Sequence, residues 1–122
     1  MLVTGLVVAS LSCAHPRNPD GAPASTPPAP VHVRVTNRYR LDVVIFASAS
    51  GHTHRLGVVA PGLDRTFVLP QGMVGSGSVE FSAQPTAYGP IVRSGELSLA
   101  PGDVVYFEIT TNWNDSRATV RP

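Results

Sequence analysis

The chain has no lysine. All nine of its cations are arginine, set against eight carboxylates, for a formal net charge of +1. Without that amine there is no Schiff-base nucleophile, no Walker-type phosphate lysine and no Ser–Lys pair. The near balance of charge gives no general attraction to nucleic acid, which calls for a basic surplus or stripe, so no nucleic-acid partner is expected. Cys13 is the single cysteine among 122 residues. An intrachain disulfide, a cysteine-rich zinc site and a CxxC redox pair are therefore excluded. No apolar run reaches the about 20 residues that a membrane-spanning helix requires.

Glycine and proline are plentiful instead, 11 and 12 residues. Half of the prolines (Pro16, Pro19, Pro23, Pro27, Pro28 and Pro30) crowd into one short segment with Ala, Ser and Thr between them. Proline neither continues a helix nor donates to a ladder, and these neighbours offer nothing to bury. Residues 13–30 thus read as Cys13 followed by a disordered, semi-rigid tether of polyproline character.

Residues 2–11 (LVTGLVVASL) are almost wholly apolar, and Ser12 and Cys13 follow them. The length suits the apolar core of a secretory signal. A small residue before a unique cysteine, behind such a stretch, resembles the lipobox of bacterial lipoproteins. Two features differ from the usual pattern: Ser10 stands where leucine is common, and no basic residue precedes the stretch. The resemblance implies that residues 1–12 are a signal peptide and that Cys13 is the lipidation site. It also implies a membrane held through an N-terminal lipid, and a place in the bacterial cell envelope facing the periplasm or the exterior.

From Val31 the apolar period changes to two. Val31, Val33 and Val35 alternate with His32, Arg34 and Thr36, the pattern of a half-buried strand. Further strand patterns cover 41–49, 52–60, 64–69, 78–84, 91–99, 103–110 and 117–121. In the second, Val44 and Phe46 make the alternate face apolar too, which predicts a strand covered on both sides or lying beside another buried element. Short strands at this spacing, with turn residues between them and no helical stripe, predict an all-β domain over 31–122. The expected form is one antiparallel sandwich of seven or eight strands, with a small barrel as the alternative. The pattern looks like a small immunoglobulin- or fibronectin-type sandwich, although the Cys–Trp–Cys hallmark of antibody domains is absent.

Ala60-Pro61-Gly62 and Ala100-Pro101-Gly102 fit type II turns, with proline supplying φ near −65° and glycine the positive φ. An offset of 40 residues also aligns Phe67 with Phe107. Both sites are expected to be hairpin-like bends followed by a buried Phe. A duplicated unit would explain the match, but so would a good turn used twice.

Few residues suggest chemistry. His52 and His54 lie two apart, so a strand directs both to one side, where they could share a metal if a third ligand joined them. No third residue stands at a recognisable spacing, and the opening of a cupin metal motif is matched only in the H-x-H. The glycine-rich stretch 72–77 lacks the lysine and the following helix of a phosphate loop. No nucleophile elbow occurs, and the acids are scattered singly. Neither a catalytic residue nor a cofactor is expected.

If each strand crosses the sandwich once, loops 37–40, 61–63, 85–90 and 111–116 share the end remote from the tether. That end gathers Arg38, Tyr39, Arg40, Tyr88 and Trp113, residue types enriched at binding hot spots. They are the candidate partner-binding residues, and the partner is a protein or a glycan. The expected role is a non-enzymatic accessory or interaction module. The alternative is a periplasmic metal-binding protein using the His52/His54 pair.

Overall fold

The computed structural model of the protein describes Gly5, residues 28–75 and 77–122, with Trp113 described by its backbone alone. Cys13, the expected signal segment apart from Gly5, and most of the expected tether lie outside the described residues. Eight strands follow in order: β1 (His32–Asn37), β2 (Val43–Ala49), β3 (His52–Val59), β4 (Asp64–Val68), β5 (Ser78–Pro85), β6 (Val92–Ser98), β7 (Val104–Ile109) and β8 (Arg117–Arg121). Two single-turn 3₁₀ segments, Gln71–Met73 and Trp113–Asp115, interrupt the loops. All eight strand patterns read from the sequence form strands.

The strands build two four-stranded sheets, ordered β4-β1-β7-β8 and β3-β2-β5-β6. The sheets pack face to face without closing into a barrel. All neighbours pair antiparallel except β1 with β7, which run parallel in register from His32↔Val104 to Asn37↔Ile109. The fold is thus a β-sandwich, the expected form, and not the barrel that alternation alone also allowed. Its strand order separates β1 from β2, whereas immunoglobulin domains keep their first two strands in one sheet with the fourth and fifth.

Every second residue of the central strands supplies the core. Val33 and Val35 of β1, Val43, Ile45 and Ala47 of β2, Val79, Phe81 and Ala83 of β5, and Val105, Phe107 and Ile109 of β7 are all buried. Each large apolar side chain removed from water contributes about 1.5–3 kcal/mol, and their alternation fixes register, because a slip of one residue would turn the set outward. Val44 and Phe46 of β2 depart from expectation. They face outward and are half-buried with no third layer over them among the described residues, where β2 is a central strand of one of two sheets.

Gly62 and Gly102 adopt φ of 75° and 86°, and Leu63 and Asp103 donate back to Ala60 and Ala100, which closes both predicted turns. Neither is a hairpin. Each carries the chain from one sheet to the other, from β3 to β4 and from β6 to β7. Phe67 and Phe107 are buried after them as anticipated. The tightest true hairpin joins β2 to β3 through Ser50 and Gly51, both at positive φ (50° and 78°), the twist a two-residue hairpin favours. The glycine-rich stretch after Gln71 is a connection between sheets.

One bulge shapes β3. Ile45 pairs with Gly57 but Phe46 pairs with Arg55, leaving Leu56 as the extra residue. The bulge re-aims the residues on either side of it. Phe67 packs so close to Gly57 that a Cβ there would lie 2.7 Å from its ring. Arg65 stacks over that ring at 4.9 Å and donates to the Val58 carbonyl at 2.8 Å.

Candidate functional site

The parallel register of β1 and β7 places both their C-terminal ends together, and the antiparallel partners bring the start of β4 beside them. Likewise Val43 at the start of β2 meets Pro85 at the end of β5. The four loops grouped by strand counting therefore do share one end. Backbone hydrogen bonds stitch them together: Arg38 N to Ile109 O at 2.8 Å, Asn37 N to Leu63 O at 3.0 Å, Gly62 N to Asn37 O at 2.7 Å and Thr86 N to Asp42 O at 3.0 Å. Residues 29–31 enter at the opposite end, where Gly102 and Leu69 donate to Ala29 and Val31.

Asn37 organises the stitched end. It is completely buried, the only buried polar residue among those described. Its amide nitrogen donates to Leu41 O at 2.9 Å and Val59 O at 3.0 Å, while its side-chain oxygen accepts from Tyr39 N at 2.9 Å. Sequence reading placed Asn37 in a loop and assigned it no role. A polar residue closing a run of alternating valines was the available signal.

The candidate binding residues separate on inspection. Tyr88 is fully exposed, so its ring does not plug the sandwich. Arg38 and Arg40 are exposed, and Arg38 sits 3.7 Å from Glu108. Tyr39 is half-buried and packs against the core cluster, which makes it part of the scaffold as well as of the surface. Trp113 opens the 3₁₀ turn between β7 and β8. That loop is tied internally: Thr110 N donates to Ser116 Oγ at 3.0 Å, Asp115 N to Asn112 O at 3.0 Å, and the Thr110 hydroxyl to the Asn112 carbonyl.

His52 and His54 pair with Ala49 and Ala47, so they occupy one side of β3, as their spacing requires, and both are exposed at the sheet edge. Among the described residues no group of three or more His, Cys, Asp or Glu side chains is placed to hold a metal. Glu80 and Glu96, counted as scattered acids, stand directly opposite each other across β5 and β6. Strand pairing, invisible to periodicity, brings them together.

No family model matches the chain, and no curated protein matches it. Among solved structures it is similar to an NMR structure of a protein from Eubacterium rectale. The two share 14% identity with a TM-score of 0.48, covering 75% of this chain and 87% of that one. Among the described residues no helix is long and apolar enough to cross a membrane, which says nothing of strands that might form a barrel.

Proposed function

We propose that the protein is a lipid-anchored component of the bacterial cell envelope and that its sandwich is a non-enzymatic recognition module. Cys13 carries the lipid, residues 13–30 span from the membrane, and the distal loops meet a protein or glycan partner. The observation that supports this reading is the full exposure of Tyr88 (103%) on an end whose loops are cross-linked by backbone hydrogen bonds. Solvating a whole tyrosine ring gives the fold nothing, while an exposed aromatic on the end that also carries Arg38 and Arg40 suits capture of a partner. The tether enters at the other end, so this one projects away from the membrane.

The test is capture from envelope extracts by the full chain. Trp113→Ala and Tyr88→Ala should abolish recovery of the partner while the thermal melt stays in place. Recovery unchanged in both variants would contradict the reading. For the anchor, Cys13→Ala should release the protein from membranes, and a variant that stays membrane-bound would count against acylation.

A further inference from the structure

The outer face of the β3-β2-β5-β6 sheet carries a trough. Two recesses, of about 420 and 440 Å³, lie end to end and share Ser48 and Glu80. The floor runs along β5 from Ser78 to Gln84, roughly 20 Å of strand. Its side chains are short and polar: Ser48 and Thr53 approach to 3.1 Å between their hydroxyl oxygens, and Ser82 and Gln84 continue the row. Phe46 lies half-buried among them on central strand β2, flanked by exposed Ile91.

The charges are equally specific. Glu80 and Glu96 face each other across the β5–β6 ladder, an arrangement that costs stability because like charges directly opposite repel. Arg93 lies 3.7 Å from Glu80 and partly offsets it. Arg55, the exposed cross-strand partner of Phe46, stands on the same face, so two guanidiniums balance the two carboxylates.

We propose that this trough binds a neutral, linear oligosaccharide. Vicinal hydroxyls of a pyranose both donate and accept. The lining supplies matching carboxylate, amide and hydroxyl partners, and Phe46 offers an apolar surface for the C–H face of a sugar ring. The balanced charge of this face gives no net attraction to a polyanion and suits a neutral ligand. One end of the trough, at Gln84 and Ile91, adjoins the loop that carries Tyr88, but the site does not rely on that loop's having a partner.

The test is NMR titration of the isotope-labelled full chain with cellohexaose, xylohexaose, chitohexaose and mannohexaose, with a hyaluronan hexasaccharide and calcium chloride as comparators. At least one neutral hexasaccharide should give saturable shifts at Phe46, Ser48, Thr53, Ser82 and Gln84, with a Kd on the order of 1 mM or tighter. Phe46→Ala should weaken binding by about tenfold or more. Ser82→Trp fills the trough and should abolish binding even if the Phe46 variant fails to fold, whereas Val68→Ala on the other sheet should have no effect. The proposal is overturned if no neutral sugar saturates, if the shifts centre on Tyr88, if hyaluronan binds as tightly, or if calcium alone perturbs Glu80 and Glu96 in the same way.

Discussion

The side-chain amide of Asn37 donates to the carbonyl of Val59 at 3.0 Å, joining β1 of one sheet to β3 of the other. Through its remaining bonds the same amide fixes Leu41 and Tyr39 at the head of the loop that carries Arg38 and Arg40. Asn37→Ala leaves two carbonyls and one N–H without that partner. Each buried group so orphaned costs about 1–3 kcal/mol. Urea denaturation should show a total loss on the order of 3 kcal/mol. A variant within about 0.5 kcal/mol of the parent, the range of neutral surface changes, would mean that water replaces the amide without cost.

Gly57 should be the least replaceable glycine in the sandwich. Its φ is 155°, and an added methyl would fall 2.7 Å from the Phe67 ring. Overpacking combined with backbone strain predicts that Gly57→Ala destabilises by about 2–3 kcal/mol. Gly51→Ala is the comparison. Gly51 also has positive φ, 78°, but open space around it, so only the backbone penalty of about 1 kcal/mol should appear. Thermal melts of the two variants check the order, and equal losses would contradict the close approach of Phe67.

The two tyrosines of the distal end should behave differently. Tyr88→Ala removes an exposed ring and should leave the melting temperature unchanged while lowering partner capture. Tyr39→Ala removes a ring packed against the core and should cost about 1–2 kcal/mol, as a partly buried truncation does. Melting curves and capture assays on both variants test this division. A destabilised Tyr88 variant would place its ring against the sandwich.

Two exposed imidazoles on one side of a strand form a weak chelate without a third ligand. Calorimetry with Cu(II) and Zn(II) on the full chain should therefore show no sub-micromolar site that depends on His52 or His54. Such a site, lost on replacing either histidine, would favour metal binding over recognition.

Much of the architecture was legible because alternation is a local property. Val33, Val35, Val79, Phe81, Val105 and Phe107 each announce an inward face without reference to any other strand. Strand parity then sufficed to group the loops at one end. What escaped was set by pairing between distant segments. The Glu80–Glu96 opposition depends on the register of β5 with β6, and the trough depends on β2, β3, β5 and β6 lying side by side. The Pro-Gly turns were recognised by their chemistry, but that chemistry does not say whether a turn returns to the same sheet or crosses to the other. Phe46 was taken as covered because an apolar side chain on a central strand usually is. Here it lines an open recess instead.

Site-specific photo-crosslinking in intact membranes would test the proposed orientation and use of the sandwich most directly. A photoreactive phenylalanine analogue in place of Tyr88 probes the distal end; the same analogue in place of exposed Gln71 probes the end where the tether enters. Adducts to a specific partner should form from position 88 and not from position 71. Adducts from position 71 alone would show that the opposite end makes the contact, contradicting the assignment of the Tyr88 loops as the recognition surface.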